Sequence, residues 1–168
     1  MHKHDIHKDI VSYVDTICTI TNSYNAKLSS LPVIDSSGEE SAKISMLAIV
    51  SETANAAFVA AEGFESIIEP ETNTILMPGV DSNIWTEIRS TLSKSFKDVN
   101  LEAEKASRLL LETDSSSSIA DRIEKSNYIV SHAQEELSKT IKDSLSLLPI
   151  PNSETSIAIQ ELVSCGPI

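Results

Sequence analysis

Histidines, cysteines and a run of glutamates are the side chains of this sequence that could do chemistry. His2, His4, Asp5 and His7 crowd the N-terminus, and His4 with His7 would share a helix face, the spacing for a divalent cation. A cluster at a fraying chain end holds metal poorly, so no metal site is expected there. A carboxylate-bridged di-metal bundle needs Glu-x-x-His on inward faces. The residues three before His7 and His132 are instead His4 and Ile129. Glu62, Glu65 and Glu69 recur at steps of three and four. Acid–base work would need one of those carboxyls raised by burial or by a close partner. Nothing in the pattern places them in a cleft, and a solvated face is the expectation.

Nucleophile and phosphate motifs are missing too. The sequence holds no Gly-x-Ser-x-Gly and no Cys-x-x-Cys, and no histidine lies near Cys18, which adjoins an apolar stripe and is expected in the core. Gly38, Gly63, Gly79 and Gly166 are too scattered for a phosphate-cradling loop. Cys165-Gly-Pro-Ile has glycine and proline where prenylation wants aliphatic residues. The expectation is a non-enzymatic protein with no catalytic, cofactor-binding or metal-binding residue.

Any site must be carried by helices. The stretch 39–69 places Leu47, Val50, Ala54, Ala57, Ala61, Phe64 and Ile68 on one stripe, the seam of a long amphipathic helix. Its alanine middle would let a neighbouring backbone come close. Gly63 inside it suggests a close crossing there. Around this element stand three more stripes. Residues 4–31 carry Ile6, Ile10, Tyr13, Ile17, Ile20, Tyr24, Leu28 and Leu31, with both tyrosine hydroxyls expected to reach water. Residues 81–112 carry Trp85, Ile88, Leu92, Phe96, Val99, Ala103, Ala106 and Leu110. Residues 118–148 carry Ile119, Ile123, Ser126, Val130, Ala133, Leu137, Ile141, Leu145 and Leu148. A short helix over 153–164 would close one end.

The punctuation agrees. Pro32, Pro70, Pro149 and Pro151 stop helices. Ser37 with Glu40, or Ser36 with Glu39, forms a capping box, as does Ser118 with Asp121. Asp81 or Ser82, and Asn152 or Ser153, offer further caps. The pairs Glu104–Arg108, Asp121–Lys125 and Glu135–Lys139 have the favourable i,i+4 order. The fold class is therefore all-α: a single domain over 1–168, built as an up-down bundle of four long helices with a short fifth, its seams also of coiled-coil type.

Composition narrows function by exclusion. With 13 basic against 25 acidic residues the formal charge is −12, which disfavours direct grip on nucleic acid or an anionic membrane. The longest apolar run, Met46 to Val50, is far below the ~20 residues of a spanning helix. Two cysteines, no glycosylation sequon and no charged-then-apolar leader at the start imply a reducing, cytoplasmic setting. The leading expectation is a structural or assembly component that works by protein–protein contact, as a homo-oligomer or a subunit of a larger assembly. Ile75, Leu76 and Met77 are expected to fold onto the end of the bundle as part of a connection, with an exposed docking strip for another chain as the alternative. The alternative is an acidic inhibitor or decoy, of viral or mobile-element type, whose Glu52, Glu62, Glu65 and Glu69 occupy a partner's basic, nucleic-acid-binding groove.

Overall fold

The computed structural model describes residues 3–71, 79–81, 83–112 and 117–165, with side chains from residue 8 onward. Four long helices make the body: α1, Lys3–Ser29; α2, Glu39–Glu65; α3, Ile84–Leu111; and α4, Ile119–Ser146. A short α5, Ser153–Gln160, and a 3-10 turn, Val163–Cys165, follow. No strand occurs among the described residues. The molecule is an up-down helical bundle. Each long helix has 27 or 28 residues, or about 40 Å at 1.5 Å per residue.

Within it, α3 is the central rod, packed on α2 along one side and on α4 along the other. All eight apolar positions expected on α3 are buried, Trp85 at its start among them. The core divides along the bundle. The larger part joins α1, the C-terminal half of α2 and the N-terminal half of α3 around Tyr13, Ile17, Phe64, Trp85, Leu92 and Phe96. A smaller part joins Met46, Val50, Ala106, Leu110 and Val130, with Ile34 and Leu47 leaning against it. Because α1 contributes nothing to that second cluster, the end holding the start of α2 is the thinner one.

The alanine stripe of α2 does what small residues allow. Ala57 and Ala61 are fully buried, and polar side chains of α3 reach the α2 backbone past them. Ser93 Oγ donates to the carbonyl of Ala61 at 3.1 Å, and Asn100 Nδ2 to that of Ala54 at 2.8 Å. A larger side chain at these positions would hold the donors away. The same device joins α4 to α3, where buried Ser126 Oγ donates to the Ala106 carbonyl at 3.2 Å. At Gly63 a Cβ would sit 3.2 Å from Ile20 Cδ1, so α1 does cross close to α2 there.

Several expectations are corrected. Helix α2 ends at Glu65 rather than 69, with Ser66 as its C-cap. The ring of Pro70 would collide with the Ser66 carbonyl four residues back, so the helix unwinds before it. Ile68 consequently lies beyond the helix, 89% exposed, and Ile67 turns into the core in its place. Leu47 and Ala54 are only half-buried, Met46 and Thr53 taking the deeper positions next to them. Neither Ser36 nor Ser37 caps α2: Gly38 is its N-cap with no side-chain bond, and the Ser37 amide donates to Asp35 Oδ1. Ser118 and Asn152 do cap α4 and α5 through the amides of Asp121 and Thr155. Asp81 Oδ1 instead takes the amide of Asn83, before α3 begins. The three i,i+4 pairs expected do not close as salt bridges; Lys94–Asp98 closes at 3.1 Å and Lys105–Glu102 at 4.0 Å.

Neither tyrosine hydroxyl reaches water. Tyr13 donates to the Trp85 carbonyl at 2.7 Å and sets its ring edge-on to the indole at 5.2 Å. Tyr24 donates to Gln134 Oε1 at 2.6 Å, tying α1 to α4, and meets Phe96 edge-on.

Candidate functional site

The acidic face of α2 is partly consumed by the fold. Arg89 Nε lies 2.8 Å from Glu69 Oε1, and Thr86 Oγ1 donates to Glu69 Oε2 at 2.7 Å. Glu65 is held by Lys97 and, at 3.3 Å, by Ser93 Oγ. These bonds rivet the end of α2 and the chain after it to α3. Burial alone would raise the Glu69 carboxyl, but the bonds from Arg89 and Thr86 and the guanidinium charge together hold it below the usual range. Glu65 is lowered by the Lys97 bond and charge. Both carboxyls thus stay ionised, contrary to what a general acid needs. Glu52 and Glu62 remain exposed.

A different α2 feature faces solvent. Ile44 with Ala48, and nearly three turns further on Phe58 with Val59, lie along the outward side, with exposed Ser51 and Asn55 between the two pairs. Ile44 is 64% exposed, Phe58 49% and Val59 46%. The helix is so apolar overall that by length and composition it would qualify to cross a membrane, yet 44% of that window is buried in the bundle. Its inward face is spoken for by α1 and α3, and the outward apolar residues are surplus to packing. Ile75, Leu76 and Met77 lie outside the described residues.

Concavities also mark the surface of the described residues. A groove of about 400 Å³ between α3 and α4 is lined by Asp98, Glu102, His132 and Glu136 among others. His132 stacks flat on exposed Tyr128. Among the described residues no three of His, Cys, Asp and Glu are grouped to hold a metal ion. A cavity of about 590 Å³ lies where α1, the end of α4 and α5 meet, lined by Val14, Leu145, Leu148, Ile150 and Ile159, with Cys18, Ser156 and Gln160.

Beside that cavity, Cys18 is disulfide-bonded to Cys165, with Cα atoms 4.8 Å apart across 147 residues of sequence. Cys18 is buried as expected, but as half of a cystine rather than as a core thiol. The bond ties the 3-10 turn to α1. Ser164 reinforces the join, its carbonyl accepting from Asn22 and its hydroxyl donating to Asp15. The only advance signal was the pair of cysteines itself, since sequence spacing says nothing of which loops return to α1.

No family model matches this chain, and no curated protein and no solved structure matches it.

Proposed function

We propose that this chain is a non-enzymatic binding protein that works by protein–protein contact, and that it self-associates through the outward face of α2. The supporting observation is the ridge of Ile44, Ala48, Phe58 and Val59, apolar residues left uncovered on a helix whose other side is fully packed. A helix face of this kind suits isologous pairing, in which the same patch on two copies meets itself. The alanine stripe is not available for that purpose, because α3 covers it. The decoy reading has less to stand on, since Glu65 and Glu69 already hold Lys97 and Arg89 of their own chain. The Cys18–Cys165 bond favours an oxidising compartment over the reducing, cytoplasmic one that the cysteine count suggested.

Sedimentation velocity over a concentration series tests the reading. Wild type should show a concentration-dependent dimer, and Phe58→Glu should shift it to monomer while leaving the helical circular dichroism unchanged. A wild type that stays monomeric throughout the micromolar range would remove self-association. A dimer indifferent to Phe58→Glu and Ile44→Glu would place the contact elsewhere.

A further inference from the structure

The bundle is not sealed on every side. Helix α1 packs along α2, touches α3 and the middle of α4 through Tyr13 and Tyr24, and is held by α5 and the 3-10 turn, so at the end of α4 the gap is bridged by a short helix instead of by direct packing. A bridge of eight residues, burying only Thr155 and Ile159, leaves space behind it. That space is the cavity of about 590 Å³, inside the range of ligand pockets, roughly 300–1,000 Å³.

Its chemistry is selective. Five aliphatic side chains, Val14, Leu145, Leu148, Ile150 and Ile159, form the walls together with the Cys18 sulfur. In a chain with 38 formally charged side chains (13 basic and 25 acidic), none lines this cavity. The remaining lining groups are one hydroxyl and one carboxamide, Ser156 and Gln160, an i,i+4 pair on a single face of α5. Ser156 is half-buried and Gln160 exposed, so both stand at the open side of the space, and neither side chain bonds to another described residue. Ile150 at the α4–α5 link is 47% exposed despite lying against this apolar space.

We propose that this cavity binds an uncharged aliphatic molecule with one hydrogen-bonding end, of the class of a medium-chain alcohol or amide. The aliphatic body lies between Val14, Leu145 and Leu148, and the polar end meets Ser156 and Gln160. A carboxylate or ammonium end is disfavoured, because no counter-charge lines the cavity to offset the hydration that end gives up at the mouth. The disulfide fixes the far end of the α5 wall to α1, which keeps the space preformed.

Nile red, an uncharged solvatochromic probe, is titrated into the oxidised full chain and then displaced by decanol, decanoate or decylamine. The expected result is saturable one-site binding, displacement by decanol, and much weaker displacement by either charged analogue. Leu148→Trp should fill the space and weaken the probe about tenfold or more. Ile150→Trp blocks the mouth from an exposed link and serves if Leu148→Trp does not fold, as judged by circular dichroism. Phe58→Glu, on the self-association face, should leave probe binding unchanged, which separates this site from that one. Absence of saturable binding, full affinity in a folded Trp variant, loss of binding in Phe58→Glu, or equal displacement by the charged analogues would each overturn the assignment.

Discussion

Tyr13 and Tyr24 carry more of this fold than their number suggests. Each is buried to the ring, and each hydroxyl donates across a helix boundary. Burial pushes the Tyr24 phenol from 10.0 up to about 12, and Tyr13 moves further in the same direction, chiefly by burial and then by the nearby Glu69 charge. A folded-state value above the unfolded one means that the folded chain keeps a proton the unfolded chain would release. The stabilisation is therefore complete below pH 10 and is lost as pH rises toward 12. Urea melts at stepped alkaline pH should show stability falling from about pH 10 upward. Tyr24→Phe should flatten that fall, at a loss of about 1 kcal/mol near neutrality for the missing bond. At the acid end the sign reverses. Glu69 is held below the ordinary carboxyl value of 4.5, so its contribution exists above that value and disappears as pH drops through the lower, folded one. Glu69→Gln should cost about 1 kcal/mol at neutral pH and remove part of the acid-side slope. An unchanged slope would mean the Arg89 pair contributes nothing.

Helices are where the sequence was most legible, and their ends and partners where it was least. The three-and-four spacing found the stripe of α3 without error, because a rod packed on two sides must bury every position of its seam. Along α2 the same spacing found Val50, Ala57, Ala61 and Phe64 but ran on to Ile68, since periodicity has no knowledge of a proline's reach backward. The cations that hold Glu65 and Glu69 were not legible because they sit on α3, 32 and 20 residues further along the chain. The cystine was illegible for the same reason: which distant loop returns to α1 is decided by packing. That packing supplies a prediction of its own. The C-terminal turn, α5 and α1 are joined by one covalent bond that closes 147 residues of chain. In the chain-entropy view, a loop of that size is stabilised by roughly 5 kcal/mol at most, with 2–4 typical. Reduction, or the pair Cys18→Ala with Cys165→Ala, should lower stability by about 2–4 kcal/mol and expose the link around Ile150 to proteolysis first. If cleavage begins elsewhere, α5 is held by its packing on α1 and not by the bond. Ala57→Leu belongs at this scale too: overpacking the α2–α3 crossing should cost about 1–3 kcal/mol, measured by denaturant melts.

Charge acts on the molecule as a whole. A formal −12 over this surface opposes any meeting of two copies, and Glu52 and Glu62 flank the α2 ridge on which they would meet. Apolar contact between Ile44, Ala48, Phe58 and Val59 must therefore overcome repulsion that salt can screen. The screening length is about 10 Å at 0.1 M and about 3 Å at 1 M. Dimerisation through α2 should accordingly tighten as sodium chloride rises over that range, and Glu62→Gln should tighten it at low salt while changing little at high salt. Binding of the acidic face to a basic groove would behave in the opposite sense, weakening steeply as the attraction is screened. The direction of the salt dependence, read from sedimentation equilibrium, therefore separates the two modes without any partner being identified. A dimer that dissociates with added salt would show that the contact is ionic, and the apolar ridge of α2 would lose its place as the interface.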